Sequence, residues 1–511
     1  MNPVPRGSLI LMTWMALAVG AAIRILLVLQ PACIDRNGVQ FVEFARRLNE
    51  NPREAMRITT RQPGYAFLLL WTHKLVGPTL GGDTPEAWQR SGELLALASG
   101  IAVCIGVVLL TRRLFDERVA LVAAVLVALW PQGAHLSAGV LSDMPHLAIF
   151  LFAALVALGA VERQSPWRIA VAGALAGLAY LFKQEAACLI PAAIWCWWRC
   201  SVPGRLRYVG PLAFIAAFAV CVAPHSLATG HLIPNKGPLD VWKLFSDAGS
   251  RSFRASGILA YVVSWWEAPG RFFVDWLRSG RYVIGLLFFA GVFLPFAPNA
   301  DRRGRSLIVS TLAVYVVLVQ IRATIYGELS ERYAAVAAAL TLPWAAAGWL
   351  AIIEELPPML VNASRHLRAP LGFLVVMVPV TPLILYATRP VYDGKDHYRE
   401  AGAALRQMAA PGDLVLVHEH LEQVMFYADR THPAKTWIKS RRADSGRRIE
   451  RLLGKKPAWY VDAEGSRRGE IDEAAHFAWI ASQPDRLRLV NSMGPVGRRV
   501  FIYQVVEPKG S

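Results

Sequence analysis

Long apolar runs recur along most of the chain, and positive charge returns between them in alternation. Few folds accept that pattern. The runs fall at 8–30, 92–110, 119–136, 144–161, 169–182, 186–198, 209–228, 282–298, 306–321, 334–353 and 370–387. A membrane-spanning helix needs roughly 17–25 mostly apolar residues. In lipid the backbone must satisfy its own hydrogen bonds, so a run of that length is read as helix. Only 18% of the 511 residues are charged and 55% are hydrophobic, whereas soluble domains carry about 25% charged residues. The expected fold class is an α-helical polytopic membrane protein with about eleven transmembrane helices. The pieces at 169–182 and 186–198 are short and flank Lys183-Gln184-Glu185, so they read as two tight antiparallel helices.

Every second short loop is basic. Arg112, Arg113 and Arg118 share one; Arg163 and Arg168 the next on that side; then Arg199, Arg205 and Arg207; Arg302, Arg303 and Arg305; and Arg365 with Arg368. The intervening short loops hold no cation before Met144, then Lys183, then Arg322 and Arg332. The positive-inside rule puts the N-terminus and the basic loops in the cytoplasm. The Asp35 loop, the 224–281 loop and the tail after Ala387 then lie outside it, in a bacterial cytoplasmic (inner) membrane. The formal net charge of +17 is explained by these loops and by attraction to anionic membrane lipids, with no nucleic-acid partner. Four of six cysteines lie in apolar runs, and none has CxxC spacing, so neither a disulfide framework nor a thiolate metal site is expected. The first run lacks a small-residue cleavage site and reads as an uncleaved span. Arg24 sits near its outer end, where its side chain is expected to snorkel to the interface.

Two segments depart from this pattern. The first outer loop, 31–90, carries structure of its own. Phe41, Phe44, Ala45 and Leu48 share one helical face, with Glu43, Arg46, Arg47 and Asn49 opposite, the pattern of a helix in the interface plane. The apolar stretch at 65–75 is too short to cross. The tail, 388–511, is richly charged, with a helix pattern at 398–408, a Pro411-Gly412-Asp413 turn, a buried-type strand at 414–417 and strand patterns at 458–461 and 499–503. It reads as a small extracytoplasmic α/β domain beside a transmembrane domain of residues 1–387.

Ionisable residues at membrane depth are expensive and are default functional candidates. On the outer side they form a set: Asp35; Asp143 with His146; Lys183 with Glu185; and Glu328, Glu331, Arg332 and Tyr333. In these positions the sequence resembles the GT-C glycosyltransferases, and within them the bacterial relatives of protein mannosyltransferases and aminoarabinose transferases. Asp35 and the following amphipathic helix match the first-loop acid and juxtamembrane helix. Gln62-Pro63-Gly64-Tyr65 matches a Pro-x-Tyr-x-x-Leu-Leu segment, and Leu141-Ser142-Asp143-Met144-Pro145 a second acidic position. The stretch from Gly173 to Glu185 matches a Gly-Leu-x-x-Leu turn that ends in Glu, and Glu331-Arg332-Tyr333 an Arg-Tyr segment. Arg36 and Gln184 depart from the pattern.

The resemblance implies a hexosyl- or pentosyltransferase that takes a sugar from a polyprenyl-phosphate carrier. The acceptor would be a glycolipid, glycan or protein on the non-cytoplasmic face. Such a transfer needs a base near the acceptor and positive charge near the departing phosphate. Asp35 and Asp143 are the catalytic candidates, and Arg61, Lys183, Arg332 and Tyr333 the donor-phosphate candidates. Tyr65, His146, Glu185 and Glu331 are supporting residues. One base and one in-line displacement imply inversion. Asp35 and Asp143 could instead share a divalent cation, magnesium or manganese, through carboxylate oxygens.

Plainer readings compete at each position. Asp35 and Asp143 both stand where a helix N-cap belongs. His146 has no second His at ligand spacing, Lys183 and Glu185 suit a solvated turn, and Arg332 suits an interface anchor. His418-Glu419-His420 lacks a third ligand. The competing function is a transporter or flippase for a lipid-linked or anionic solute, which often shows two similar halves with broken helices at matching positions; no such duplication is visible. A non-catalytic scaffold would tolerate neutral substitution of all the outer acids. The topology is tested by adding protease to intact spheroplasts. The tail after Ala387 should be clipped, and full protection would reverse the orientation.

Overall fold

The computed structural model describes residues 5–30, 33–59, 61–200, 204–230, 255–294, 302–326, 330–359, 365–391, 395–410, 412–418, 421–429, 437–440, 452–453, 455–464, 473–496 and 498–506. The helices in chain order are α1 (Arg6–Leu29), α2 (Arg36–Glu50), α3 (Pro52–Ile58), α4 (Pro63–Leu80), α5 (Pro85–Leu114), α6 (Glu117–Ala128), α7 (Pro131–Leu136), α8 (Asp143–Arg163), α9 (Pro166–Tyr180), α10 (Leu189–Cys200), α11 (Leu206–Thr229), α12 (Ala255–Ser279), α13 (Val283–Phe293), α14 (Arg302–Tyr326), α15 (Ala334–Met359) and α16 (Arg365–Ala387). Short 3-10 turns at Gln184–Cys188 and Glu331–Tyr333 lead into α10 and α15.

The chain is a polytopic membrane protein. Among the described residues six helices are long and apolar enough to cross a membrane, and they match the expected spans at 8–30, 92–110, 144–161, 209–228, 306–321 and 334–353. α1 buries only 17% of its apolar window in protein, whereas α8 buries 78%. α1 is therefore a lipid-facing helix and α8 a central one. The other expected spans are shorter pieces. The 119–136 run is two helices, broken at Trp130–Pro131. The 169–182 and 186–198 runs form α9 and α10 with the 3-10 turn between them, but they are not the expected tight pair: α9 packs mainly on α11 and α8, and α10 on α14. α9 packs on α11 through Gly173 and Gly177. A Cβ at Gly173 would lie 2.2 Å from the Phe214 carbonyl oxygen, and one at Gly177 2.8 Å from that of Phe218. Small residues four apart allow this close backbone approach.

One helix was not expected. α12 lies in the stretch read as an outer loop. Ala268, Phe272 and Trp276, four apart on one face, are buried, and Trp276 Nε1 donates to Thr341 Oγ1 on α15 at 3.2 Å. Glu267, Arg271, Asp275 and Arg278 interrupt its hydropathy, so a search for continuous apolar runs passes over it.

Arg24 does not snorkel. It is fully buried, and its guanidinium donates to the Val127 carbonyl at 3.0 Å, the Ala128 carbonyl at 3.2 Å, the Gly20 carbonyl at 2.9 Å and Ser137 Oγ at 3.2 Å. The cause is Pro131. Proline has no N–H to offer the carbonyl four residues back, and its ring ends the helix, so the last carbonyls of α6 need outside donors. Arg24 supplies them from α1.

In the first loop, α2 is the expected amphipathic helix. Asp35 caps it, accepting from the Asn37 backbone N–H at 2.8 Å. Its apolar face joins α4 in a core cluster with Cys33, Val42, Phe44, Tyr65 and Leu69. Cys33, expected in an exposed loop, is buried here, and burial pushes its thiol up to about 12.

The tail forms α17 (Asp396–Met408), β1 (Val415–His418), α18 (Glu422–Tyr427), β2 (Trp437–Ser440), β3 (Trp459–Ala463), α19 (Glu473–Ala481), β4 (Leu487–Met493) and β5 (Val500–Val505). The sheet order is β2-β1-β3-β5-β4, with β1 parallel to β2 and β3, and β5 antiparallel to β3 and β4. Val415 and Val417 face one apolar cluster and Leu416 another, so β1 is covered on both faces, as a central parallel strand should be. The expected helix and three strands are present; β2, β4, α18 and α19 were not anticipated. Phe426 and Tyr427 of α18 leave the tail and enter the cluster around α2 and α4.

Replacing Arg24 by Met removes four donors and orphans carbonyls at the α6 break. Each buried orphan costs about 1–3 kcal/mol. Arg24→Met should lower the thermal midpoint of the detergent-purified protein, with Arg24→Lys intermediate. A midpoint at or above wild type would show that the clamp contributes nothing.

Candidate active site

Two cavities meet at the N-terminal end of α8. The first, of about 450 Å³, is walled by α2, the Arg61–Gln62 stretch, the start of α8, the Lys183–Glu185 turn, the end of α14 and the Glu331–Tyr333 turn. The second, of about 490 Å³, shares Asn37, Ser330 and Arg332 with it and adds Asp35, Gln132, His135, Arg278, Arg281 and Glu331.

The first cavity is cationic for a reason visible in its ion pairs. Asp143, the first residue of α8, is buried, and its side chain does not cap the helix. Lys183 Nζ donates to Asp143 Oδ1 at 2.7 Å, and Arg332 lies 3.8 Å from Oδ2. Arg322 lies 3.6 Å from the buried Glu185 carboxylate. The Tyr333 ring stands against both cations, with Lys183 Nζ at 5.1 Å and the Arg322 guanidinium at 4.9 Å from its centre. Tyr333 is held in turn by its carbonyl, which accepts from Tyr315 OH at 2.6 Å. Arg61 enters from the first loop. It donates to Asn37 Oδ1 at 2.8 Å and to Gln40 Oε1, and stacks on Phe41 at 4.9 Å. Burial, with Arg332 nearby, pushes the Arg61 guanidinium below its usual value.

Among the described lining residues, four cations, Arg61, Lys183, Arg322 and Arg332, thus face two carboxylates, Asp143 and Glu185. An excess of two positive charges in a partly closed cavity attracts an anion of matching charge. A phosphate monoester carries about −1.5 to −2 at neutral pH.

Gly64 fixes how the first loop meets the Lys183 turn. Its N–H donates to the Leu181 carbonyl at 2.8 Å, and a Cβ there would lie 2.7 Å from the same oxygen. Any side chain would push Arg61 and Gln62 away from Lys183.

Asp35 lies in the wall of the second cavity. Its Oδ1 accepts from the Asn37 N–H and from Asn37 Nδ2 at 2.9 Å, so the capping reading holds and one carboxylate oxygen carries it. Glu331 shares that cavity, and its carbonyl accepts from Gln132 Nε2. Glu328 lies outside the described residues. Tyr65 and His146 line neither cavity. Tyr65 is buried beneath α2, edge-on to Phe41 at 4.7 Å, and His146 is buried in α8 with its ring 5.8 Å from that of Phe150. Both act as packing beneath the site. His418 is a buried strand residue, and residues 419–420 lie outside the described set.

The arrangement does not suit a divalent cation shared by Asp35 and Asp143. Lys183 and Arg332 occupy the two Asp143 oxygens, Asp35 faces the other cavity, and among the described residues no three His, Cys, Asp or Glu side chains gather as ligands. Sequence reasoning missed Arg322, Asn37, Gln40 and Glu422. Arg322 was visible only as a cation near the end of an apolar run.

Residues 86–227, from α5 to α11, match the family model described as dolichyl-phosphate-mannose-protein mannosyltransferase. Solved structures match over nearly the whole chain. The Archaeoglobus fulgidus oligosaccharyltransferase in complex with zinc and sulfate is 15% identical, with 97% of this chain and 73% of that one covered and a TM-score of 0.57. ArnT from Cupriavidus metallidurans bound to undecaprenyl phosphate is 14% identical, with 99% and 100% covered and a TM-score of 0.56. The mycobacterial arabinofuranosyltransferase AftD is 15% identical, with 99% of this chain but 42% of that one covered and a TM-score of 0.54. No curated protein matches the sequence. The architecture is thus that of a polytopic membrane protein with a sheet-bearing C-terminal tail. Its fold is shared with these solved glycosyltransferases.

Asp143→Ala would strand Lys183 and Arg332 in a buried site, at a cost of about 3–5 kcal/mol. The double variant Asp143→Leu/Lys183→Met should recover part of the thermal midpoint, because Lys183, the closer of the two stranded cations, is gone and only Arg332 is left unmatched. Failure to recover would assign the pair a packing role that apolar residues cannot fill.

Proposed function

We propose that the chain is a membrane glycosyltransferase of the GT-C type. It takes a sugar from a polyprenyl-phosphate carrier and passes it to a glycolipid, glycan or protein acceptor. The observation that carries this reading is the first cavity, with its two excess positive charges, adjoining a second cavity that holds the half-buried Asp35. The match to a mannosyltransferase family model and to ArnT with its bound undecaprenyl phosphate supports the same chemistry.

In this reading the carrier phosphate sits among Arg61, Lys183, Arg322 and Arg332. Charge-assisted bonds from these groups strengthen as the sugar–phosphate bond breaks and charge gathers on the leaving oxygens. Asp143 keeps Lys183 and Arg332 at that position. Tyr333, standing against Lys183 and Arg322, fixes their direction. The acceptor enters the second cavity, where Asp35 takes the proton from its hydroxyl. Attack opposite the leaving phosphate in a single displacement inverts the anomeric carbon. The alternation of basic loops supports a site on the non-cytoplasmic face of a bacterial inner membrane, with the N-terminus inside and the tail outside.

A flippase reading would also use an anion cavity, yet it gives Asp35 no proton to move. Asp35→Asn keeps the cap, since Asn also caps, and removes the base. General-base catalysis contributes about 10²–10⁴-fold, so transfer in membranes of a complemented deletion strain should fall by about that factor at equal protein level. Unchanged transfer would remove Asp35 from the chemistry. Substrate movement without any transferred product would favour the flippase.

A further inference from the structure

The first loop does not hold its own shape. Ile34, the residue before Asp35, has both backbone polar groups bound by α18 of the tail. Its N–H donates to Tyr427 OH at 2.9 Å, and its carbonyl accepts from Gln423 Nε2 at 3.1 Å. Tyr427 OH in turn donates to Gln89 Oε1 on α5 at 2.7 Å. The residue after Asp35 is held as well. Arg36 Nε donates to Glu422 Oε2 at 2.9 Å, and Gln40 Nε2 donates to the same oxygen at 3.1 Å. Glu422 is nearly buried, its side chain 8% exposed. From Gln40 the chain of bonds continues through its Oε1 to Arg61, and from Arg61 to Asn37, whose amide holds Asp35.

We propose that α18 of the tail is the positioning element of this site, with Glu422 as its central positioning residue. One carboxylate fixes Arg36 and Gln40. Gln40 thereby aims Arg61 into the anion cavity, while the bonds to Ile34 set the backbone on which Asp35 is carried. Glu422 lines neither cavity and acts through these neighbours. A buried network of this kind is rigid when complete and costly when one partner is lost. The proposal rests on the reading above for its use, because only a transferase needs both Arg61 and Asp35 set at once.

The test uses the full chain in detergent and two readouts. Hydrogen exchange followed by mass spectrometry reports the loop without any ligand. Undecaprenyl phosphate, the lipid of the ArnT complex, serves as the binding probe. Glu422→Ala should raise exchange across residues 34–42 about tenfold, leave β1, β3 and β5 unchanged, and weaken the probe's apparent Kd about tenfold. The charge swap Arg36→Glu/Glu422→Arg should bring exchange at 34–42 back toward wild type, a rescue that a purely packing role would not give, while probe binding should stay weakened because arginine at 422 cannot accept from Gln40 Nε2. Unchanged exchange at 34–42 in Glu422→Ala overturns the proposal. So does a rise spread equally through the strands, which would make Glu422 a residue of tail stability. Absence of probe binding to the wild-type chain overturns the carrier reading instead, and the exchange comparison still decides the clamp.

Discussion

A charge carried to membrane depth must be matched there, because lipid offers no water to do it. Two matches organise the molecule. Arg24 meets carbonyls that a proline has left open, and so joins α1 to the broken α6–α7 pair. Asp143 meets Lys183 and Arg332, and so joins α8 to the turns before α10 and α15. The first match has only backbone and a hydroxyl as partners and serves the fold. The second leaves cations in excess at a cavity, and that excess is the basis of the functional reading.

The two matches differ in how much of them a sequence can reveal. The apolar runs announce most spans, since each is a local signal longer than a helix needs. α12 is lost because its buried stripe is narrow, Ala268, Phe272 and Trp276, and Glu267, Arg271, Asp275 and Arg278 break up its apolar run. The break at Pro131 is readable, but its partner Arg24 lies over a hundred positions away and looks like an ordinary cation at a span end. Likewise Asp143 and Lys183 are each noticeable, while their bond 40 residues apart is not. Side choice by loop charge brings the acids to one face. It cannot tell that Asp35 and Asp143 fall to different cavities, which is why a shared metal looked plausible from sequence and does not suit the geometry.

The departures from the family pattern gain a meaning in three dimensions. Arg36, out of place beside a presumed base when only the sequence is in view, is bound by Glu422 and belongs to the loop's anchorage. Gln184, where proline is frequent, begins the 3-10 turn that carries Glu185 to Arg322. Tyr65, matched as a motif residue, and His146, a supporting candidate, are buried and line neither cavity. A motif residue can be retained for the shape it gives the wall.

The Arg36–Glu422 pair spans 386 residues. Chains are made from the N-terminus and fold in that order, so α2 and α4 emerge long before their tail partner exists. Asp143, Lys183, Arg322 and Arg332 of the ion cavity are made before the tail, yet the loop that forms its other wall is finished only when more than four-fifths of the chain has been synthesised. A truncated or stalled product would then hold a charged but unset pocket. Maturation of this protein is a late event, timed by the arrival of one six-residue helix.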